Sequence, residues 1–231
     1  MNDSVCLIID PGKHYAGMTG HIQNSNRVYS NMSSPYQKAY FLLSVAEIKQ
    51  LPPDQGIEVA VVGRSNAGKS SVLNRITQSK SLARVSKTPG RTQQINMFVL
   101  DEKRRLADLP GYGFAKVPLA AKLKWQKTID TYMRTRKSLK GLILVMDIRH
   151  PLKDLDLQLL EYCNHYEMPV HILLNKSDKM SRGAAAKVLH EVKAALTGYH
   201  NSVTFQCFSA LKGIGVNELH TVLNQWYEYE S

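Results

Sequence analysis

The sequence predicts a doubly wound α/β domain with a mostly parallel six-stranded sheet and one antiparallel strand. Three observations carry this expectation. Short apolar runs alternate with helix-length amphipathic segments from residue 57 onward, the pattern of strand–helix repeats that cover both faces of a parallel sheet. Gly141-Leu142-Ile143-Leu144-Val145-Met146 is continuously apolar and ends at Asp147, as a central strand buried on both sides should be. Gly63-Arg64-Ser65-Asn66-Ala67-Gly68-Lys69-Ser70 lies between an apolar strand and a helix start, the context of a phosphate-binding P-loop.

Residues 1–35 are rich in Asn, Ser, Gly and His, with one short apolar run from Cys6 to Ile9. They are expected to form a poorly ordered tail ahead of a single folded domain at 36–231, with Met32 as an alternative start. Ser44 is placed to cap a short helix through Val45, Ile48 and Leu51, ended by Pro52-Pro53. Ile57 to Val62 is the first strand, and Ser71 to Ile76 opens the helix after the glycine-rich turn. Ser79 to Arg91 has neither helical nor strand period and reads as a long loop. Ile95, Met97 and Val99 alternate into a strand, which turns at Asp101-Glu102 into another from Lys103 to Leu109; this hairpin supplies the antiparallel strand. Pro118 opens a basic amphipathic helix running to about Ser138. After the apolar run at 141–147, helices at Asp154–Tyr166, Ser181–Leu196 and Val216–Tyr227 alternate with strands at Pro169–Leu174 and Val203–Phe208.

Composition narrows the function classes. Apolar residues make up 43% of the 231, enough for a substantial core. The formal charge of +11 and pI near 9.5 suggest a polyanionic partner larger than a nucleotide. Cys6, Cys163 and Cys207 have no metal-ligand spacing and fit reduced thiols in a cytoplasm. No basic segment leads into an apolar signal core and no long uncharged apolar run occurs, so neither export nor membrane spanning is expected.

In the P-loop, the glycines let the backbone turn with its N–H groups inward, and the helix N-terminus adds partial positive charge. Lys69 would neutralise the β- and γ-phosphates, and the Ser70 hydroxyl would hold Mg²⁺. That leaves kinase, ATPase and GTPase open. Asn175-Lys176-Ser177-Asp178 decides among them. Asn175 can hydrogen-bond the guanine edge, and the Asp178 carboxylate can accept from the ring N1–H and the exocyclic amine that adenine lacks. Adenine would leave that carboxylate facing an unprotonated nitrogen, and each unmet buried polar group costs about 1–3 kcal/mol. Lys176 can lay its aliphatic stem along the base. Phe208-Ser209-Ala210 closes the last strand, with the Ala210 N–H against guanine O6, at the strand end where open α/β sheets bind ligands. Asp108-Leu109-Pro110-Gly111 places a carboxylate that reaches Mg²⁺ through a water and a Gly111 N–H that senses the γ-phosphate. In the loop Lys87-Thr88-Pro89-Gly90-Arg91-Thr92-Gln93-Gln94, a threonine would complete the Mg²⁺ shell. Both Thr88 and Thr92 are candidates, and Thr92 is preferred because it is tethered nearer the following strand.

The set GRSNAGKS, TPGRTQ, DLPGYG, NKSD and SA, with Met146-Asp147-Ile148-Arg149-His150-Pro151, closely resembles the EngB (YihA/YsxC) family of bacterial GTPases, over roughly Tyr40 to Trp226. The resemblance implies a Ras-like P-loop GTPase domain that binds GTP and GDP with Mg²⁺ and assists assembly of the large ribosomal subunit. It also implies a link to normal septation, and supports Ser70 and Thr92 as the Mg²⁺ ligands. The nucleotide set is then Gly63 to Ser70, Gly90 to Gln94, Asp108 to Gly111, Asn175 to Asp178 and Phe208 to Ala210. Lys69, Thr92, Gly111 and Asn66 are the groups expected to act in catalysis.

Ras-like enzymes place a water-positioning Gln just after the Asp-x-x-Gly element, where this chain has Tyr112. Slow intrinsic hydrolysis is therefore expected. Asn66 offers a K⁺ site beside the phosphates in place of an arginine finger; the alternative is that it only braces the loop. The basic helix and its sequel (Lys122, Lys124, Lys127, Arg134, Arg136, Lys137, Lys140) would contact rRNA of the large subunit or its precursor, alongside ribosomal proteins. Trp125, Tyr132 and Trp226 read as core, and Arg149 and His150 receive no role. A monomer is expected. The alternatives are a nucleotide-gated cell-division scaffold with little hydrolysis and a small-molecule P-loop kinase.

Overall fold

Seven strands form one sheet in the order β1-β3-β4-β2-β5-β6-β7. In chain order these are β1 (Tyr40–Val45), β2 (Ile57–Gly63), β3 (Ile95–Val99), β4 (Arg104–Asp108), β5 (Leu139–Asp147), β6 (Val170–Asn175) and β7 (Val203–Cys207). The helices are α1 (Lys69–Ile76), α2 (Leu119–Thr135), α3 (Asp154–His165), α4 (Arg182–Ala195) and α5 (Val216–Tyr227). This computed structural model describes residues 34–83, 94–113, 119–199 and 203–229. The expected tail lies outside the described residues except for Ser34 and Pro35, which lead into a 3₁₀ turn at Pro35–Lys38. Tyr36 in that turn is buried, hydrogen-bonds Asn224 at 2.6 Å and stacks on His220 of α5.

The sheet has one strand more than the six expected from sequence. The extra strand is β1, in the region where Ser44 was expected to cap a helix. Only a 3₁₀ turn at Ile48–Gln50 remains of that helix. The physical reason is length: a segment stopped at Pro52 is too short to repay helix nucleation. Tyr40–Val45 instead pairs antiparallel with β3, from Tyr40↔Val99 to Val45↔Ile95. Because β3 is antiparallel to both β1 and β4, it alone runs against the other six, as the hairpin reading expected.

Alternation along the central strands sorts the core into two layers. Ala60, Val62, Leu142, Leu144 and Met146 face a layer closed by Ile129 and Tyr132 of α2, Leu160 and Cys163 of α3, and Val192 of α4. Val59, Val61, Ile143 and Val145 face the other layer, closed by Leu73 and Ile76 of α1 and Leu219 and Leu223 of α5. This two-sided cover is why the central strands are mostly apolar.

Away from the strand ends that carry Asp108 and Asn175, Glu58 and His171 are buried polar residues that break the apolar pattern. Glu58, fully buried in β2, accepts from the Tyr132 hydroxyl at 2.9 Å and from the Arg136 guanidinium, whose Nε lies 2.8 Å away; Arg105 stands 3.9 Å off. Arg136 also donates to the Pro52 carbonyl at 2.8 Å. Sequence placed Arg136 in an RNA-contacting face, but the structure buries it against Glu58, and it is withdrawn from that set. His171 lies between Thr204 (2.7 Å) and Gln206 (2.8 Å) across β7.

Two expectations follow from these groups. Glu58→Ala strands a buried guanidinium, so urea denaturation should show a loss of about 3 kcal/mol or more; an unchanged midpoint refutes the pairing. Burial holds both His171 and His220 below the ordinary imidazole value of 6.5. The folded state therefore prefers both rings neutral, and the unfolded chain binds protons first on acidification. Stability should be full above pH 6.5 and fall as pH drops below it. Thermal melts between neutral and mildly acidic pH should show this fall, and His171→Gln should reduce it.

Candidate functional site

The ends of β2, β4, β5, β6 and β7 deliver Gly63, Asp108, Asp147, Asn175 and Phe208 to one edge of the sheet, where open α/β folds take ligands. The P-loop turns there through left-handed backbone at Asn66 (φ 64°) and Gly68 (φ 99°). Gly68 is also where the chain closes on its neighbour, since a Cβ there would fall 2.3 Å from Asn175 Nδ2. Gly63 has the same constraint against the Val145 carbonyl, at 2.3 Å. Lys69 begins α1, and its ammonium pairs with Asp108, whose other oxygen accepts from Asn96 at 3.3 Å. Asn96 was not foreseen. It reaches Asp108 because the β3–β4 register sets the two residues opposite each other, and no single-strand pattern announces that. The half-buried Ser70 hydroxyl and the Asp108 carboxylate are hard oxygen donors of the kind Mg²⁺ takes.

Asn175 is buried and holds two loops together. Its Nδ2 donates to Ala67 O at 2.8 Å, and its Oδ1 accepts from the Ala210 N–H at 3.2 Å. One amide hydrogen of Asn175 remains for a base. Lys176 adopts left-handed backbone (φ 67°), and its ammonium donates to Asn66 O at 2.6 Å and to Asp147 Oδ2 at 2.9 Å. Arg149 grips the same carboxylate through Nε at 2.9 Å and Nη2 at 2.6 Å. The hydrogen bonds from Arg149 and Lys176 hold the Asp147 carboxyl well below the usual carboxylate range, outweighing its partial burial. Arg149, unassigned from sequence, thus steadies the carboxylate that fixes Lys176; His150 is exposed.

Asp178 accepts from the Ser209 hydroxyl at 2.5 Å, and that hydroxyl in turn accepts from the Lys212 N–H at 3.0 Å. The Phe208 carbonyl accepts from the Ser177 N–H at 3.0 Å, while the Ser177 hydroxyl is buried without a partner among the described residues. Arg75 of α1 donates to the Ala210 and Leu211 carbonyls at 2.6 and 2.9 Å, a contact that sequence reasoning missed.

Leu109 and Pro110 are buried, and Gly111 packs close enough to the P-loop that a Cβ would lie 3.3 Å from Gly63 O. Tyr112 carbonyl oxygen accepts from the Ser65 N–H at 2.7 Å. Its side chain points away from the ligand edge: the hydroxyl donates to Asp156 of α3 at 2.5 Å and the ring lies 4.9 Å from that of Trp125. Burial, and then Asp156, push the Tyr112 phenol well above its ordinary value, so it stays a donor; burial likewise raises the Asp156 carboxyl. Trp125 Nε1 donates to Pro110 O at 2.8 Å. Gln94 is exposed at the foot of β3, while Thr88 and Gly90 to Gln93, with Thr92 among them, lie outside the described residues. So does the side chain of Lys122. Lys124, Lys127, Arg134, Lys137 and Lys140 are exposed, and Arg134 lies 3.8 Å from Asp130. No helix among the described residues is long and apolar enough to cross a membrane.

Comparison with known proteins agrees with this arrangement. The 50S ribosome-binding GTPase family matches residues 58–176, and the elongation factor Tu GTP-binding domain matches residues 127–229. A probable GTP-binding protein EngB of Coxiella burnetii (strain RSA 331 / Henzerling II) is 55% identical over 195 residues, 84% of this chain and 95% of the relative. Its namesake in Pseudoalteromonas atlantica (strain T6c) is 54% identical over 196 residues, 85% of this chain and 95% of the relative. Among solved structures, a probable GTP-binding protein engB superposes with a TM-score of 0.61 at 21% identity, covering 75% of this chain and 100% of that one. Era in complex with MgGDPNP and a 16S ribosomal RNA fragment gives 0.58 at 20% identity, over 74% of this chain and 57% of that one. At such identities the structural likeness speaks for the fold. The sequence matches go further: this chain belongs to the EngB family of GTP-binding proteins and is a P-loop GTPase.

Proposed function

We propose that this GTPase is a nucleotide-controlled switch that docks on the large ribosomal subunit or its precursor and leaves on hydrolysis, and that normal septation depends on it through ribosome assembly. The observation that carries the reading is the joining of phosphate and base elements at one edge: Asn175 ties the P-loop to the Ala210 loop, and Gly111 packs on Gly63. A bound γ-phosphate would lie beside both Gly111 and Lys69. Ser70 and Thr92 would ligate Mg²⁺ directly and Asp108 through a water; the metal would supply charge neutralisation on the phosphate oxygens. Asp178 would accept from N1–H and the exocyclic amine of guanine, and the Ala210 N–H, which donates to Asn175 Oδ1 at 3.2 Å, would be shared with O6.

Support for the ribosomal partner comes from the family match and from Lys124, Lys127, Arg134, Lys137 and Lys140, which leave a basic surface on α2 and just beyond it. Contacts of this kind to phosphates are electrostatic and salt-sensitive. The protein would act as a monomer in the cytoplasm. Hydrolysis on its own would be slow, because Tyr112 faces Asp156 instead of an attacking water. Asn66 is exposed and its carbonyl is held by Lys176; its side chain would bind K⁺ beside the phosphates.

Sedimentation on ribosomal subunits should show binding to the large subunit with a non-hydrolysable GTP analogue, weaker binding with GDP, and release as salt rises. Equal binding with both nucleotides, or none, overturns the switch reading. Turnover should be several-fold faster in K⁺ than in Na⁺, and Asn66→Ala should abolish the difference; equal turnover in the two salts removes the K⁺ role.

A further inference from the structure

The loop from Ser209 to Ile214 starts buried, at Ser209 and Ala210, and then runs out to the surface, with Leu211 66% and Ile214 48% accessible and Gly213 in left-handed backbone (φ 73°). Its own hydrogen bonds close the turn at the base, Ser209 N to Ile214 O at 3.0 Å and Gly213 N to Ser209 O at 2.8 Å. Because the Ser209 carbonyl and the Ala210 N–H share one planar peptide, the Gly213 bond holds that peptide from within the turn. That peptide and the chain that follows it are also held from outside. Asn175 Oδ1 takes the Ala210 N–H at 3.2 Å, and Arg75 takes the two following carbonyls, Ala210 O at 2.6 Å and Leu211 O at 2.9 Å.

Arg75 stands in the last turn of α1, the helix whose first residue is Lys69. Its guanidinium is not engaged with a carboxylate in any ion pair among the described residues. A planar fork of donors is suited to gripping two successive carbonyls at fixed spacing, which an ammonium on a flexible stem does less rigidly. Holding both carbonyls fastens the chain that follows Ala210 to α1 and limits how far the segment carrying the Ala210 N–H can shift from Asn175.

We infer that Arg75 is a positioning residue for guanine recognition, keeping the segment that carries the Ala210 N–H in place for the O6 acceptor and linking the phosphate-binding helix to the base-binding loop. This rests on the proposed contact between Ala210 N–H and O6. Guanine presents an acceptor at that position, where adenine presents an amine, so a misaligned N–H loses discrimination along with affinity.

The test uses the full chain with Mg²⁺ and three diphosphates in competition binding. GDP carries every feature; 6-thio-GDP keeps N1–H and the 2-amine but replaces O6 by a weak acceptor; IDP keeps O6 but lacks the 2-amine that faces Asp178. Arg75→Ala should weaken GDP and IDP in parallel by about five- to tenfold, the effect of losing one or two charge-assisted hydrogen bonds near the surface. Binding of 6-thio-GDP should change by about twofold or less, so the GDP preference over 6-thio-GDP shrinks while the preference over IDP stays. Arg75→Lys should recover part of the loss, and kcat at saturating GTP should remain that of the unaltered protein. Unchanged GDP affinity, or an equal loss for GDP and 6-thio-GDP, overturns the role of Arg75 alone. If the unaltered protein does not prefer GDP to 6-thio-GDP, the O6 contact falls and takes this inference with it.

Discussion

The ligand edge of this protein depends on one buried amide. Asn175 ends β6 and bridges the Ala67 carbonyl in the P-loop and the Ala210 N–H in the base loop. These loops are far apart in sequence, and each is held by backbone groups that nothing local can satisfy. Removing the amide would leave a buried carbonyl and a buried N–H unpaired, at about 1–3 kcal/mol each. The glycine at position 68 belongs to the same constraint, because a side chain there would occupy the space of the Asn175 amide. The P-loop and the loop proposed to take the base are therefore joined: one side chain braces both.

Around that amide the remaining polar groups form supports at increasing distance from the ligand edge. Asp147 holds Lys176, Lys176 holds the Asn66 carbonyl, and Arg149 shares the Asp147 carboxylate. Asn96 steadies Asp108 from the neighbouring strand. At the opposite end of the sheet Glu58 grips Arg136 and Tyr132. Helix α2 is thus fastened at both ends, through Tyr132 and Arg136 far from the ligand and through Trp125 to Pro110 beside it. A charged pair buried at the far end adds little net stability, but it fixes where the helix must lie.

Much of this was legible in the sequence where a signal is local. The P-loop, the Asp-x-x-Gly turn, the Asn-Lys-Ser-Asp tetrapeptide and the alternation of strands and helices each declare themselves within a few residues, and the direction of β3 followed from one hairpin. What could not be read is what depends on partners remote in the chain. Strand β1 owes its existence to pairing with β3 more than fifty residues later. Arg136 looked like one more surface cation because its counter-ion, Glu58, stands in another element. Asn96 and Arg75 gain their roles only through strand register and helix placement. Tyr112 was recognised as the wrong residue to orient water, but the reason, a hydroxyl turned into the core toward Asp156, is a fact of packing.

That packing has a consequence for how a signal could leave the ligand edge. Gly111 lies between Pro110, whose carbonyl is held by Trp125 of α2, and Tyr112, whose hydroxyl is held by Asp156 of α3. Were the Gly111 peptide to move toward a γ-phosphate, as the proposed switch requires, it would pull on both bonds, and because packed interiors shift between discrete arrangements instead of stretching, α2 and α3 would take up the movement. The exposed lysines of α2 stand on the outer side of that linkage. On the proposed reading, a tyrosine here would exchange the water-orienting role of a glutamine for a mechanical one: its hydroxyl, bonded to Asp156 inside the core, would tie the state of the phosphate to the position of the two helices.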